Sequence, residues 1–330
     1  IRCRQSLMGL AFLEEGESQI SVKSLKMPMI RCTTTKRFIR PRPPKRKLKR
    51  LKFIIVLTTM EPCLQENKTS GRIGVDIIER RIRMDLLELI IEYHKDNERQ
   101  GPGSEEATLK ALSYIPGVNE ETKILDIGCG TGGQTIILAK NTDAHITAID
   151  MLPEFLEVLM KKAKEDNLIN RITAKQMLMD NLTLEEKSFD IIWSEGAIYN
   201  IGFEKRLTLW RKYLKDNGYI AVTEISWLTD TRHEEIENYW VDEYLEIDTI
   251  ENKLSVIEKC GYTYVAHFVL DEKCWFNYYQ PLLENAEEFL KKYDYADEVK
   301  EFIEECEIEA DMYNRFKDYY SYVFYIAKKK

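Results

Sequence analysis

The chain has 330 residues, 44% hydrophobic and 32% charged, so it is long enough for one large globular domain with appendages. Its seven cysteines include no C-x-x-C pair, which argues against a disulfide framework or a zinc site and favours a reducing, cytoplasmic setting. No apolar run approaches the ~20 residues that a membrane-spanning helix requires.

Charge is distributed unevenly along the chain. Residues 1–60 carry 15 Lys and Arg against three acidic residues, which leaves 33 basic and 53 acidic residues in the remainder. The basic residues concentrate between Lys36 and Lys52, where three prolines forbid a continuous helix. We expect residues 1–83 to be a disordered or non-native extension. The alternatives are a targeting presequence and an arm that binds nucleic acid or acidic lipid headgroups.

Regular structure is predicted from Met84 onward. The apolar stripe in "MDLLELIIEYHK" and the cap residue Ser104 predict two helices. Strands are predicted at 123–127, 145–149, 171–177, 189–193, 218–224, 262–270 and 319–327. Helices are predicted at 133–140, 153–166, 204–214, 232–245, 249–260, 275–292 and 295–317.

Strands and helices alternate over residues 123–224, which is typical of a parallel sheet covered on both faces. Two further strands predict a seven-stranded, mostly parallel Rossmann-like sheet in an α/β fold, with a helical insert before the last strand. The domain covers residues 84–330, and its helical lid elements lie at about 84–115, 228–260 and 275–317. Ligands of such sheets bind beyond the carboxyl ends of the strands.

A glycine-rich loop, "ILDIGCGTGGQT", begins in the first strand. From Gly128 it spells G-x-G-x-x-G, a pattern that suits either a dinucleotide pyrophosphate or S-adenosylmethionine. Asp126 would repel a pyrophosphate, whereas it would attract the ammonium and sulfonium groups of S-adenosylmethionine. Asp150, at the end of the second strand, suits the ribose hydroxyls of either ligand. The position of Asp126 therefore favours S-adenosylmethionine as the cofactor.

At these residues the chain resembles the Rossmann-type S-adenosylmethionine-dependent methyltransferases. More narrowly, it is similar to small-molecule methyltransferases known largely from gut Bacteroides and related to the quinone-biosynthesis C-methyltransferases. The resemblance starts at about Asn97 and rests on "NERQGPGS", "DIGCGTGGQT", "IIWSEGAIYNIGFE", "WRKYLKDNGYIAVTEISW" and "YYSYVFYIAKKK".

The resemblance implies a role for each matching position. The methionine end of the donor would be lined by Asp126, Gly128, Cys129, Gly130 and Gln134. The ribose would bind Asp150, and the adenine would lie beside Met151, Met179 and Asp180. Many relatives have an aspartate at the end of the third strand, where this chain has Leu178.

The transferred methyl group should lie near the segment "SEGAIYN", and therefore near Ser194, Glu195 and Tyr199. Transfer from a sulfonium depends mainly on alignment, and a base is needed only if the nucleophile must lose a proton. Glu195 is interpreted as a binding carboxylate, as that base or as a structural cap. His233, at the start of a lid helix, is a catalytic candidate or a solvated helix-start residue. Arg99 and Gln100 lie on a glycine-rich segment that is interpreted either as a hinged segment that closes over the donor or as a plain turn between helices.

The predicted function is an S-adenosylmethionine-dependent methyltransferase with a small-molecule acceptor and no metal. Aromatic residues in the lid segments suit a flat apolar or cationic acceptor. An RNA or protein methyltransferase that uses the basic arm is one alternative, and a binding module without catalysis is another. The net charge of −20 over residues 61–330 disfavours nucleic acid as a partner. The acceptor atom and a homodimer are left open.

Overall fold

The computed structural model of the chain describes residues 86–330. The predicted extension at 1–83 and the predicted start of the domain at Met84 lie outside these residues. Among the helices of residues 86–330, none combines the length and the apolar character needed to cross a membrane.

One mixed sheet organises the described part of the chain. Its eight strands are β1 (Lys123–Ile127), β2 (His145–Asp150), β3 (Ile172–Gln176), β4 (Phe189–Ser194), β5 (Leu214–Trp227), β6 (Asp248–Thr249), β7 (Tyr262–Val269) and β8 (Tyr320–Lys329). The order is β3-β2-β1-β4-β5-β8-β7, and the two-residue β6 pairs with the end of β5. Only β8 runs antiparallel to its neighbours β5 and β7. The predicted mostly parallel α/β sheet is confirmed, with β6 as an unpredicted eighth strand.

Helices cover the sheet. The first, α1, is described at residues 86–94. The others are α2 (Glu105–Leu112), α3 (Gly133–Asn141), α4 (Pro153–Glu165), α5 (Phe203–Trp210), α6 (Glu234–Glu243), α7 (Ile250–Lys259), α8 (Glu272–Lys292) and α9 (Asp297–Phe316). A 3₁₀ turn, Ile198–Ile201, follows β4. As predicted, Ser104 caps α2, since its hydroxyl accepts a hydrogen bond from the Ala107 amide at 3.1 Å.

The centre of the sheet is buried on both faces. Residues 124–127 of β1 are all fully buried, as expected for a central strand with helices on either side. Apolar residues account for three of these four positions, and Asp126 is the exception. A buried carboxylate in a central strand requires hydrogen-bond partners, so its position indicates a functional constraint.

The boundary between α5 and β5 differs from the prediction. The predicted helix at 204–214 corresponds to α5 and a 3₁₀ helix, Arg211–Tyr213, that follows it directly. The strand predicted at 218–224 already begins at Leu214, which pairs with Phe189. Asn217, after the end of this helix, has φ of +65°, in the left-handed region. It lies inside β5, at an irregularity in the pairing with β4: Phe189 pairs with Leu214 and Ile191 pairs with Tyr219, so β5 has three extra residues there.

Helices α8 and α9 pack on the β8 side of the sheet. Trp275 of α8 stacks on Tyr313 of α9 with ring centroids 4.0 Å apart. The Trp275 indole also donates a hydrogen bond to the Ser321 hydroxyl of β8 at 2.9 Å. This packing fixes α8 and α9 against β8, next to the carboxyl end of β5.

Candidate functional site

A cavity lies at the carboxyl ends of the parallel strands, as predicted for this type of sheet. Eleven of the predicted site residues line it: Arg99, Gly128, Cys129, Gly130, Gln134, Asp150, Met151, Met179, Asp180, Glu195 and Tyr199. Three do not: Asp126, Ser194 and His233.

The glycine loop is tightly enclosed at two of its glycines. Gly128 and Gly130 have φ of +72° and +54°, in the left-handed region that favours glycine. A Cβ atom at Gly128 would lie 2.5 Å from the Ala197 side chain, and one at Gly130 would lie 2.2 Å from Gln100 Oε1. Both positions therefore favour glycine for conformation, and Gly128 also requires it for space, because the Ala197 Cβ cannot move without its backbone.

Asp150 is held by the backbone at the end of β2. The Gly130 amide donates a hydrogen bond to its Oδ2 at 2.9 Å, and the Leu152 amide donates to its Oδ1 at 3.0 Å. Burial raises the pKa of the carboxyl group, while these amides oppose that shift. The fixed carboxylate lines the cavity and retains lone pairs for ligand hydroxyls, so it fits a ribose.

Asp126 lies behind the cavity wall. The Thr135 hydroxyl donates to its Oδ2 at 2.5 Å, and the Gln134 amide donates to its Oδ1 at 3.2 Å. Burial raises the pKa of Asp126 to about 7, although these two hydrogen bonds act in the opposite direction. The sequence expectation that this carboxylate lines the donor site is therefore corrected: Gln134 reaches the cavity, and Asp126 orients Gln134.

Glu195 is the centre of a buried network at the end of β4. Its Oε2 accepts a hydrogen bond from Arg99 Nη1 at 2.7 Å. Its Oε1 accepts from the Thr108 hydroxyl and from the Trp193 indole, both at 2.8 Å. Three protein donors satisfy the carboxylate, which disfavours the base interpretation of Glu195.

The segment that carries Arg99 crosses the glycine loop. Gln100 exchanges two hydrogen bonds with Thr131, whose amide donates to Gln100 Oε1 at 2.8 Å while Gln100 Nε2 donates to its hydroxyl at 3.1 Å. A Cβ atom at Gly133 would lie 2.8 Å from the Glu98 carbonyl, so the two segments are in close contact. We call residues 97–103 the strap.

The segment after β3 lies on the other side of the glycine loop from the strap. The Met179 carbonyl accepts hydrogen bonds from Arg206 Nη1 at 3.2 Å and from the Trp210 indole at 3.0 Å. Its neighbours Leu178 and Asp180 also line the cavity. These contacts fix the backbone of the turn after β3, which is predicted to lie beside the adenine.

Aromatic side chains from the lid form the roof of the cavity. Tyr239 and Trp240 come from α6, Tyr278 from α8 and Tyr322 from β8. The Tyr199 ring, below them, lies 6.1 Å from the Tyr322 ring between centroids. The aromatic roof agrees with the predicted location of the acceptor site.

Two carboxylates and a histidine of the cavity were missed by the sequence reasoning. Glu243 and Glu309 lie among many exposed acids of amphipathic helices, so no local signal separates them. His94 lies at the end of an apolar helix stripe, a position that indicates a structural role, and it lines the cavity. Burial lowers its pKa to about 4, so the imidazole is neutral at physiological pH.

Ser194 and His233 lie elsewhere. The Ser194 hydroxyl is buried and donates to the Ile127 carbonyl at 2.8 Å, which ties β4 to β1. His233 is exposed and caps α6, because its Nδ1 accepts a hydrogen bond from the Glu235 amide at 3.2 Å. The structure supports the helix-start interpretation of His233 over the catalytic one.

The fold is a doubly wound sheet with a glycine loop after β1, a carboxylate after β2 and a roofed cavity. This arrangement is typical of enzymes that bind a cosubstrate containing a nucleoside. The sequence model of the family described as "Methyltransferase domain" matches residues 118–291, more than half of the chain. The chain therefore belongs to this family, and it is an S-adenosylmethionine-dependent methyltransferase.

Relatives and solved structures agree. The chain is 30% identical over 212 residues to phosphoethanolamine N-methyltransferase of Plasmodium falciparum, with 57% of this chain and 72% of that protein covered. It is 29% identical over 113 residues to a ubiquinone/menaquinone biosynthesis C-methyltransferase of Citrifermentans bemidjiense, with 33% and 48% covered, so it spans about half of that relative.

The fold is that of a solved methyltransferase. The crystal structure of an S-adenosylmethionine-dependent methyltransferase from Geobacter sulfurreducens, in complex with S-adenosylhomocysteine, matches with a TM-score of 0.66 at 17% identity. The match covers 74% of this chain and 98% of that chain. The predicted relationship to S-adenosylmethionine-dependent methyltransferases is thus confirmed.

Proposed function

We propose that the chain transfers a methyl group from S-adenosylmethionine to a small-molecule acceptor. The observation that carries this proposal is the roof, because side chains of α6, α8 and α9 line the same cavity as the glycine loop. A cavity covered in this way suits a compact acceptor, whereas a polymer needs an open groove.

The donor half follows from the geometry of the loop. S-adenosylmethionine supplies a sulfonium methyl group that an aligned nucleophile displaces. Gly128, Cys129, Gly130 and Gln134 would hold its methionine end, and Asp150 would accept its ribose hydroxyls. Met151, Met179 and Asp180 would contact the adenine.

The side chains near the end of β4, between the glycine loop and the roof, would align the reactants. Arg99 and Glu195 hold each other at the end of β4, so they fix the strap against the sheet. Tyr199 lines the cavity beside them and would contact the acceptor near the transferred methyl group. A polarised or deprotonated acceptor then needs only positioning and exclusion of water.

The names of the relatives support a small acceptor. The Plasmodium falciparum relative is named for phosphoethanolamine, and the Citrifermentans bemidjiense relative is named for quinone biosynthesis. Both acceptor classes are small molecules, and they differ in the atom that receives the methyl group.

The test measures S-adenosylhomocysteine formation by the full chain with three fractions of a cell extract: metabolites, RNA and protein. We expect product with the metabolite fraction only. A variant with glutamines in place of the basic residues between Lys36 and Lys52 should retain this activity, since the proposal assigns donor and acceptor binding to lining residues between Ile90 and Tyr322. Activity that requires RNA or protein and is lost in this variant would contradict the proposal.

A further inference from the structure

The roof half of the cavity has an unusual combination of side chains, and we call it the acceptor compartment. It consists of Tyr239, Trp240, Glu243, Tyr278, Glu309 and Tyr322. Four of these six residues are aromatic and two are carboxylates. Resting on the proposed function, we propose that the acceptor is an amine that binds as a cation and carries no phosphate or carboxylate group.

The first support is the absence of an available positive charge in the described lining. Two side chains of the cavity within residues 86–330 are basic in type, His94 and Arg99. The Arg99 guanidinium is 2.7 Å from Glu195 and also donates to the Thr108 hydroxyl at 3.1 Å. Burial keeps the pKa of His94 low, at about 4. Residues 86–330 therefore offer an anionic group of an acceptor no available counter-charge in the cavity, and desolvation of such a group is costly.

The second support is the placement of Glu309 in the roof. Tyr279 donates a hydrogen bond to its Oε1 at 3.0 Å, which fixes the carboxyl group at the cavity. Burial raises the pKa of Glu309 to about 7, and the charge of Glu243 raises it further. A cation that reaches the Glu309 carboxylate would offset this repulsion and replace the lost solvation.

The third support is the aromatic lining. Burial raises the pKa of Tyr278 and of Tyr322 well above the usual range, so both rings are neutral phenols at physiological pH. Neutral aromatic faces attract ammonium groups and accommodate the apolar carbon atoms around them. Rings and carboxylates together are the combination that recognises an alkylated amine.

The transfer balances without a further reactant. A protonated amine has no lone pair, so its nitrogen first gives one proton to the Glu309 carboxylate. The lone pair then forms the C–N bond to the methyl carbon while the C–S bond breaks and its electron pair stays on sulfur. The products are a methylated ammonium and S-adenosylhomocysteine, and Glu309 returns the proton to solvent.

A binding experiment tests the inference apart from turnover. The full chain with S-adenosylhomocysteine is titrated calorimetrically with phenethyltrimethylammonium, which cannot be methylated, and with its neutral isostere (3,3-dimethylbutyl)benzene. We expect the cation to bind at least about tenfold more tightly than the isostere. The Glu309→Gln variant should lose about tenfold in affinity for the cation and should bind the isostere as before.

The matched control is Glu301→Gln, an exposed position on the same helix α9, which should leave both affinities unchanged. Glu243→Gln provides a second variant if Glu309→Gln does not fold. Equal or tighter binding of the isostere, absence of cation binding, or tightest binding of phosphoethanolamine would each overturn the inference.

Turnover separates this inference from the proposed function. Phenethylamine should yield S-adenosylhomocysteine faster than 2-phenylethanol or phenylacetate. Methylation of a phenol or a carbon acceptor in preference to every amine overturns the amine inference and leaves the proposed function standing. Donor binding without methylation of any small molecule defeats the proposed function, while the titrations still decide the charge preference.

Discussion

The donor half and the acceptor compartment of the cavity are built by different means. In the donor half, the two aspartates are held by hydrogen bonds from residues nearby in sequence. The Gly130 amide donates to Asp150, and the Thr135 hydroxyl donates to Asp126. In the acceptor compartment, Tyr278, Glu309 and Tyr322 come from α8, α9 and β8, which meet only through tertiary packing. Backbone geometry therefore dominates the first half, and side chains dominate the second.

This difference separates two tasks. A cosubstrate that never changes can be held by backbone amides and glycines, whose positions depend on the strand–turn–helix geometry itself. An acceptor is selected by side chains on helices appended to the sheet, where substitution changes the pocket without changing the fold. Damage to the donor half should thus be more severe than damage to the lid.

The largest effect is expected from Gly128→Ala. The new methyl group would meet the Ala197 side chain at 2.5 Å and would displace the turn after β4. We expect donor affinity to fall by roughly 100-fold, or about 3 kcal/mol, as measured by calorimetry with S-adenosylmethionine.

Gly117→Ala is the matched control for this variant. Gly117 also has positive φ, at +77°, but a Cβ atom there meets nothing within 4 Å. Both variants incur about 1 kcal/mol of left-handed backbone strain, and only Gly128→Ala should weaken donor binding. Equal donor affinity in the two variants would show that the loop tolerates a side chain.

The next largest effect is expected at the Arg99–Glu195 pair, which lies between the donor half and the acceptor compartment. The Arg99–Glu195 pair is buried, with side chains 9% and 3% exposed, so removing either partner leaves an uncompensated charge. Arg99→Met and Glu195→Gln should each lower the free energy of unfolding by about 3 kcal/mol in urea titrations. The double variant should lose less than the sum, because no charge is then left unpaired.

The exposed pair Asp297–Lys300 offers a comparison for this cycle, since its side chains are 91% and 50% exposed. Neutralising either partner there should change stability by less than about 1 kcal/mol. Additive losses in the Arg99–Glu195 cycle would mean that the two side chains act independently and that the strap is held by other contacts.

A smaller effect concerns Asp126 and pH. Its folded pKa of about 7 lies above the usual ~3.9 of an unfolded aspartate. The stability that this group contributes is therefore present below the unfolded pKa and is lost as pH rises through about 7. Ionisation, in turn, should favour the cationic donor, so we expect donor affinity to rise by up to about tenfold between about pH 5.5 and pH 7.5.

Asp126→Asn isolates this contribution, because the amide cannot ionise. In this variant the donor affinity should be nearly independent of pH, and the unfolding temperature without donor should fall less with rising pH than in the parent chain. Glu195 and Asp150 also influence the pKa of Asp126 and remain in place. A parallel pH profile in both proteins would assign the dependence to those carboxylates.

The contrast between the two halves also explains what the sequence could reveal. The bounds of β1, Lys123–Ile127, agree with the predicted strand, since a buried apolar run followed by glycines has few other structures. Asp150 and Gly130 were placed in the cavity for the same local reason. The sequence did not predict that Gln134 lies between Asp126 and the cavity, because residue spacing carries no information about side-chain packing.

Long-range contacts were less accessible. Glu309 has the sequence surroundings of an exposed helix acid, and its position depends on how α9 packs against α8 and β8. His94 ends a stripe of apolar residues, so a buried structural role was the simplest interpretation. His233 begins a helix that belongs to the predicted lid, and only the fold shows that it faces solvent.

The smallest effect is therefore expected at His233. Its imidazole accepts a hydrogen bond from the Glu235 amide and packs on Phe316 with ring centroids 5.4 Å apart, outside the cavity. His233→Ala should lower the free energy of unfolding by about 1 kcal/mol through loss of the cap and should leave kcat unchanged within about twofold. His233→Asn, which retains a capping side chain, should recover most of the stability. A kcat reduced more than about tenfold in both variants, with a changed pH profile, would instead place the imidazole at the reacting atoms in the closed enzyme and restore the catalytic interpretation.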